Sequence, residues 1–584
     1  MRIELHHTVP DDPGLRESWN ALVDRMDRPE IFCTFEWARA VSYAYEQSLR
    51  PWLLLAYEGT ELAGVAAMAI DSANRASFLC GTTADYCDLV SSPQGRSTLV
   101  EIVLSELRKA GIRDIVFANL PEDSATVASV SRHARSHGYH MGSRLGYVCA
   151  RVNLGSLEQR TKLKEAIRKR KSYRYSMNAL ARQGPVVLSH LVTWADVDSA
   201  LPEFYVAHVA RFLATHRVSN MARMDRRTFL TELGRISSQS RWLALTQISV
   251  GDRPIAWNYG FRFKGSWFYY QPTFETSLEQ YSPGVCLLSG MIVEACESPE
   301  LQVVDLGLGA EGYKERFANG TRKTLYVTLS RSHTHHFREM TRHHLAGMVR
   351  RSPRVESSVR NALAGIAAAR QRVGRANGES KIAAAGRFLV DAVSAREEVL
   401  FYEWSKHVEA PSDKQGFDRL APLDLRVLAK AVMAYEDDDH AQSYLLRAAR
   451  RLSNGEGEGF AATDPDGTPV EFCWVVPFEG FFMEKLQTFL SGPDPQAVLI
   501  DDAFTPDAVQ RSNSYGAVIA ALVERLLLER KAPWASAAGG NQFWARVLEQ
   551  TGFILRYTMV SRRTAAGRKI TTVPSSSPTA PVCS

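Results

Sequence analysis

The stretch that most narrows what this chain can fold into runs from Trp267 to Phe317. It opens with the aromatic, apolar run WFYYQPTF, which suits a buried strand. A polar loop, ETSLEQ, follows. Pro283 and Gly284 then stand just ahead of a helical apolar pattern at Val285, Leu287, Leu288, Met291, Ile292 and Ala295. Proline is at home in the first turn of a helix, where its missing N–H costs nothing. A second short strand, Val303 to Leu306, leads into a glycine-rich turn and the charged segment AEGYKERF. A strand feeding a loop feeding a helix start leaves free N–H groups and a positive dipole end facing the loop, a ready cradle for an anion. Tyr281, Ser282, Pro283 and Gly284 are expected to form it.

The rest of the chain sets limits on that unit. With 584 residues it is too long for one core, so several domains are expected. Composition is that of an ordinary globular protein, 45% hydrophobic and 23% charged, and no apolar run is long enough to span a membrane. The N-terminus, MRIELHHTVPDD, lacks the basic-then-apolar pattern of a secretion signal, which points to the cytoplasm. Eight cysteines are scattered with no CxxC pair, the pattern of reduced thiols rather than disulfides or zinc. A net charge of +6 permits an anionic ligand without demanding nucleic acid.

Residues 1–150 read as helices, a hairpin at Glu58-Gly59, a polar loop TTADYCD, a helix and a strand. Residues 185–330 repeat that order, with turns at Gly251-Asp252 and Lys264-Gly265. Between them, residues 151–184 carry a basic helix: nine cations from Arg160 to Arg182 against the single acid Glu165, ending at Gln183-Gly184-Pro185. Either a solvated helix face or a face toward phosphates fits this pattern. Residues 331–395 read as a basic helical linker. Four of their histidines, His335, His336, His343 and His344, could suggest a metal but lack an accompanying cysteine or carboxylate ligand set, so no metal is expected. Residues 396–572 form a further α/β unit, and 573–584 a Pro/Ser-rich disordered tail.

Two family resemblances follow from quoted residues. Gln510-Arg511-Ser512-Asn513-Ser514-Tyr515-Gly516 resembles the pyrophosphate-binding loop of GCN5-related N-acetyltransferases (GNAT), although Ser514 stands where a glycine is expected. Asn541, Phe543, Trp544 and Leu548 to Phe553 resemble that family's closing element. The resemblance assigns Gln510, Arg511, Ser514 and Gly516 to cofactor binding. Upstream, PIAWNYGFRFKGSWFYYQPTFE, YSPG and VVDLGLGAEGYKERF resemble the acetyltransferase domain of CelD/BcsL-type proteins, GNAT relatives linked to exopolysaccharide synthesis. FCTFEW and ADYCDLV resemble that group's upstream region. The repeat resembles the twin lobes of Fem-type aminoacyl transferases. The resemblances imply an α/β (α+β) fold of tandem GNAT-like mixed-sheet domains with flanking helices, with an N-terminal degenerate lobe.

Acyl transfer needs a held thioester or ester, an amine or hydroxyl in line with it, and a route for one proton. Asp305, after a strand and before Gly307 and Gly309, is the expected base, with Glu311, Tyr313 and Lys314 in the catalytic set. Asp85, Tyr86, Asp88, Tyr270 and Arg316 are expected to touch substrate, and His208, Arg211 and His216 to share one helix. For each of these groups a capping, surface-pairing or packing role remains open. Three readings stay open for the whole. One is transfer from acetyl-CoA or another acyl-CoA, or a carrier thioester, to an amine or hydroxyl acceptor. A second is Fem-like transfer from aminoacyl-tRNA, with tRNA as a partner. The third is a non-catalytic scaffold with eroded lobes. Neither the acceptor nor the oligomeric state can be read from the sequence.

Overall fold

The computed structural model describes residues 1–309, 312–332, 334, 396–405, 420–506, 515–564 and 567–575. Two compact units contain them: Met1–Arg211 with Arg223–Met348, and Phe212–Ala222 with Val349–Ser584. The fold is mixed α/β, as the sequence predicts.

In the first unit the chain lays down β1 (Arg2–His6), α1 (Pro13–Asp24), α2 (Phe35–Ala44), β2 (Arg50–Glu58), β3 (Glu61–Ile70), β4 (Arg75–Phe78) and β5 (Val90–Ser91). It continues with α3 (Arg96–Lys109), β6 (Asp114–Pro121), α4 (Ala125–His133), β7 (His140–Asn153), α5 (Leu157–Lys169) and α6 (Lys171–Ala181). Next come β8 (Val186–Leu191), α7 (Trp194–Ala214), α8 (Met224–Gln239), β9 (Leu243–Val250), β10 (Arg253–Phe263) and β11 (Ser266–Phe274). The unit closes with α9 (Pro283–Glu297), β12 (Val303–Asp305), α10 (Gly312–Glu315) and β13 (Gly320–Ser330).

All thirteen strands form one sheet, ordered β1-β2-β3-β4-β6-β13-β7-β12-β11-β10-β9-β8, with β5 paired to β3. The order reads alike from either end. In each half a meander of three strands is followed by a parallel pair, β4 with β6 and β11 with β12. Parallel neighbours need a crossover, and α3 and α9 supply it. The last strand of each half then lies in the other half. β13 pairs with β6, and β7 pairs with β12, while β7 and β13 run antiparallel along their full lengths. The two stretches with a shared element order therefore complete one another.

α9 supplies the core that steadies this sheet. Leu287, Leu288, Met291, Ile292 and Ala295 are buried, with Ile167 and Leu180 of α5 and α6 packed in the same cluster. The single basic helix expected from Arg160 to Arg182 is two helices, broken at Arg170, whose backbone is extended (φ −61°, ψ 122°). The break sets the Arg170 guanidinium 4.6 Å above the Phe317 ring and on the Arg316 carbonyl at 2.8 Å. Arg160 caps the end of α9, donating to the Ser298 carbonyl at 2.7 Å and the Leu301 carbonyl at 2.6 Å. Lys164 and Arg168 reach Glu297 at 3.3 Å each. Much of the cationic face is thus spent within the fold.

The second unit has its own eight-stranded sheet, built by β14 (Arg396–Trp404), β15 (Leu420–Pro422), α11 (Leu425–Ala434), α12 (Asp439–Asn454), β16 (Glu458–Thr463) and β17 (Pro469–Pro477). After the small hairpin β18 (Phe482–Met483) and β19 (Thr488–Phe489) come β20 (Ala497–Phe504), α13 (Tyr515–Leu528), β21 (Ala532–Ala538), α14 (Gln542–Gln550), β22 (Phe553–Thr564) and β23 (Gly567–Pro574). β20 and β21 repeat the parallel pair, and β14 fills the slot between β21 and β22. β23 pairs Val573 with Thr558, so strand pairing runs into the Pro/Ser-rich stretch as far as Pro574. Asn541 is the N-cap of α14, accepting from the Trp544 N–H at 3.0 Å, which gives the closing motif a local structural reason.

One buried ion pair ties β13 to the half that receives it. Arg322, 7% exposed, meets Glu30, 5% exposed, just ahead of α2, and burial raises the Glu30 pKa against the pull of Arg322. Removing one partner strands a buried charge. Arg322→Met is expected to lower unfolding free energy by about 3–5 kcal/mol in urea titrations; a loss under about 1 kcal/mol would show the pair to be dispensable.

Candidate functional site at the parting of β11 and β12

β12 pairs with β11 only from Ser266 to Phe268, whereas β11 continues to Phe274. Beyond Phe268 the two parallel strands part, and the chain after Asp305 turns away through Gly307. Pairing of β11 with β10 shifts register between Tyr259 and Phe261, where the step from Gln271 to Phe268 holds an extra residue in β11. Such a bulge re-aims backbone groups, and bulges concentrate beside functional sites.

The loop from Thr83 to Leu89 of the first half lies against this opening. Trp37 holds it by donating to the Thr83 hydroxyl at 3.0 Å, while Thr34 caps α2. These contacts account for the FCTFEW motif. Tyr270 of β11 donates to the Thr83 carbonyl and accepts from Arg226 at 2.8 Å.

Asp305 is 1% exposed. It accepts from the Tyr86 hydroxyl at 3.0 Å and from the Gly307 N–H at 3.0 Å. Arg151 stands 3.1 Å from its second oxygen, in a pairing of charges rather than a directed hydrogen bond. Burial raises the Asp305 pKa, against the opposing pull of Arg151 and these donors. Arg322 lies 4.5 Å above the Tyr86 ring, on which the Cys149 thiol also bears.

Asp85 sits differently. Its pKa is pushed up to about 7, first by burial and then by the charge of Asp305. Lys314, the Leu308 N–H and Arg226 oppose that rise. Lys314, 5% exposed, donates to the Leu308 carbonyl at 3.1 Å. The Leu308 peptide thus serves Asp85 on one side and Lys314 on the other. Gly307 must be glycine: its φ is +68°, and a Cβ there would stand 2.5 Å from the Asp85 Oδ2.

The remaining expected residues fall elsewhere. Asp88 is turned into the first half, where Arg96 at 2.9 Å, Ser124 at 2.6 Å and Thr126 at 2.5 Å engage it. Tyr313 packs beside the α9 core, and Arg316 is exposed. At the start of α9, Ser282 is left-handed (φ 49°), and the Val285 and Cys286 N–H groups bond to its carbonyl. Of the first-turn donors this leaves Gly284, where an added Cβ would meet the Phe274 ring at 3.1 Å. The cradle is therefore narrower than the sequence suggests. His208 is buried, its pKa driven down to about 3 by burial and then by Arg211 and Arg226. His216 does not share its helix: α7 ends at Ala214, and His216 follows at φ 57°. Gly516 stands in the first turn of α13, facing open space but for Thr551 at 3.8 Å. Glu311, Gln510, Arg511 and Ser514, and the four histidines from His335 to His344, lie outside the described residues. Among the described residues no cluster suited to a metal occurs, and no helix is long and apolar enough to cross a membrane.

Sequence reasoning missed Arg151, Arg226, Glu30 and Arg322. Arg151 had a usable signal, being a lone charge inside the apolar strand run GYVCARVNL.

Residues 168–315 match the model of the acetyltransferase (GNAT) domain. The match holds β11, α9, β12 and Lys314, and leaves out the loop that carries Asp85. Solved structures similar to the chain include FemX, 9% identical over 56% of this chain and 97% of that one (TM-score 0.39). Others are L-PGS from Bacillus licheniformis, 10% identical over 55% and 92% (TM-score 0.36), and a tandem GNAT protein from the clavulanic acid biosynthesis pathway, 13% identical over 56% and 98% (TM-score 0.31). No curated protein matches the chain.

Two outcomes follow from the Asp85–Gly307 contact. Gly307→Ala is expected to cost at least about 1–2 kcal/mol in urea unfolding, from its left-handed backbone alone. A carboxyl whose pKa rises on folding holds its proton more tightly when folded, so it subtracts stability as pH climbs from about 4 through about 7. Relative to wild type, Asp85→Asn should therefore gain in Tm between about pH 5 and about pH 8, followed by differential scanning fluorimetry; a Tm difference constant across that range would refute the assignment.

Proposed function

We propose that the first unit is an acyltransferase, passing an acyl group from acyl-CoA or a carrier thioester to an amine or hydroxyl acceptor at the parting of β11 and β12. The observation that carries this reading is Asp85, a carboxyl tuned to about 7 and placed on Gly307 where the two strands separate. The GNAT match over residues 168–315 supports the same reaction class.

The chain fits a pantetheine donor in one testable respect: β11 runs on to Phe274 past Phe268, where its pairing with β12 ends, with Arg211 engaging the Pro272 carbonyl at 2.8 Å. An extended chain of amides would pair along that stretch, and Gly284 at the start of α9 would face its phosphates. The bound donor supplies the activated acyl group. The protein's own contribution is position and proton handling. The bulge in β11 re-aims its backbone beside the place where an oxyanion would develop. Asp85 takes the proton from the attacking amine or hydroxyl, and a pKa near 7 suits that task at neutral pH. Asp305, held by Tyr86, Gly307 and Arg151, positions the turn beneath Asp85 and keeps its pKa raised. Lys314 anchors the Leu308 peptide and draws the carboxylate form of Asp85 back toward neutral pH. Engagement of Arg160, Lys164, Arg168 and Arg170 within the fold favours an acyl thioester over aminoacyl-tRNA as donor. The resemblance at Tyr281 to Gly284 favours a sugar amine or hydroxyl of a polysaccharide precursor as acceptor.

The test is a thiol-release assay across acyl-CoAs and amine or hydroxyl acceptors, with charged tRNA as the competing donor. Wild type is expected to release CoA with an acceptor present and half-maximal rate near pH 7. Asp85→Asn is expected to lower kcat/KM by roughly 10²–10⁴-fold. Activity of Asp85→Asn within about threefold of wild type, or turnover with charged tRNA alone, would sink the reading.

A further inference from the structure

Arg226 lies in the first turn of α8 and is 4% exposed. Its Nη2 donates to the Tyr270 hydroxyl at 2.8 Å, and the Tyr45 hydroxyl lies against the same guanidinium. Its Nε and Nη1 are buried and make no hydrogen bond among the described residues. Phe229, 5.1 Å from the guanidinium carbon, offers only a ring face. A buried cation is normally matched by a carboxylate in contact, and each buried donor left unmade costs about 1–3 kcal/mol. The first turn of a helix makes this worse, since it carries a partial positive charge and favours an anion. No side chain caps α8, and the one acid of its first turn, Asp225, is engaged by the N-cap residue Arg223 at 2.9 Å. A buried guanidinium whose Nε and Nη1 have only the Tyr45 hydroxyl and a ring face beside them retains bonding capacity for a negative ligand.

We propose that Arg226, with the Tyr45 hydroxyl beside it, binds a carboxylate carried by the acceptor, while Tyr270 holds the guanidinium in place. This rests on the acyl-transfer reading above. Tyr270 joins the two places: its hydroxyl accepts a hydrogen bond from Arg226 and donates one to the Thr83 carbonyl, two residues before Asp85. An acceptor anchored by its carboxylate at Arg226 would present its amine or hydroxyl toward Asp85. Tyr45, half-buried at the end of α2, is the least buried of the three groups. A carboxylate fits better than a phosphate dianion, because one guanidinium balances one charge, and Asp85 bears electrostatically on the same cluster. His208, the neighbouring titratable group on α7, is held neutral by burial and adds no second cation.

The experiment measures Tm of the full-length protein in acetate, inorganic phosphate or chloride at equal ionic strength, with no acyl donor present. Acetate is expected to raise the wild-type Tm by a few degrees over chloride, by binding the folded state. Arg226→Met is expected to abolish that increment, measured against its own Tm in chloride. Tyr45→Phe, at the half-buried rim, is expected to reduce the increment and serves if Arg226→Met fails to fold. An acetate increment equal in wild type and both variants, or none in wild type, would mean an ordered water only and overturn the proposal. A phosphate increment larger than that of acetate would overturn the carboxylate assignment. These readouts are independent of turnover. Loss of the acetate increment with Asp85-dependent turnover intact removes this proposal alone, whereas an Arg226-dependent increment with Asp85→Asn fully active removes the acyl-transfer reading and leaves an anion site.

Discussion

The exchange of terminal strands between the two halves of the first unit is the constraint on which the rest depends. β7 leaves the first half to lie beside β12, and β13 leaves the second to lie beside β6. Backbone pairing drives it, because without the visiting strand each half would present a long unpaired edge in mid-sheet. The buried Arg322–Glu30 pair then fixes where β13 sits, since two charges taken out of water tolerate little displacement. Arg151 arrives on β7 by the same route. The second half's carboxylate, Asp305, is thus matched by a cation from the first.

That exchange brings the loop from Thr83 to Leu89 onto the turn after β12, and one peptide there joins two roles. The Leu308 N–H serves Asp85 and its carbonyl serves Lys314, so the spacing between acid and ammonium is set by backbone rather than by flexible side chains. Gly307 keeps the approach close. Burial, and then the charge of Asp305 beneath it, hold the Asp85 carboxyl protonated to a higher pH than a surface aspartate. Two carboxylates with different partners can thereby divide the work, one fully bonded and one poised to titrate.

Much of the fold was legible in the sequence. The 3.6-residue apolar rhythm of α9, Pro283 at its start and the β-rich meander before it predicted the strand–loop–helix–strand unit, because those signals are local. The break at Arg170 carried no proline or glycine to announce it; it is imposed by contacts of Arg170 with Arg316 and Phe317, far along the chain. Asp305, Asp85 and Tyr86 were each singled out, but their meeting was not visible, because more than two hundred positions separate the hydrogen-bonding partners Tyr86 and Asp305. Asp88, two residues beyond Tyr86, resembled Asp85 in sequence yet faces Arg96 in the other direction. Nothing local distinguishes them; the turn of the loop does.

The crossed strands also bear on how the chain is made. On the ribosome the first half emerges with its β6 edge complete at Pro121, yet the strand that covers that edge begins only at Gly320. Throughout synthesis of the intervening segment, a hydrogen-bonding edge of a largely built sheet waits for a partner not yet translated. Such an edge recruits whatever strand is at hand, including that of a neighbouring nascent copy. The symmetry that gives the finished unit one continuous sheet therefore sets an interval during biosynthesis in which the β6 edge is without its native partner.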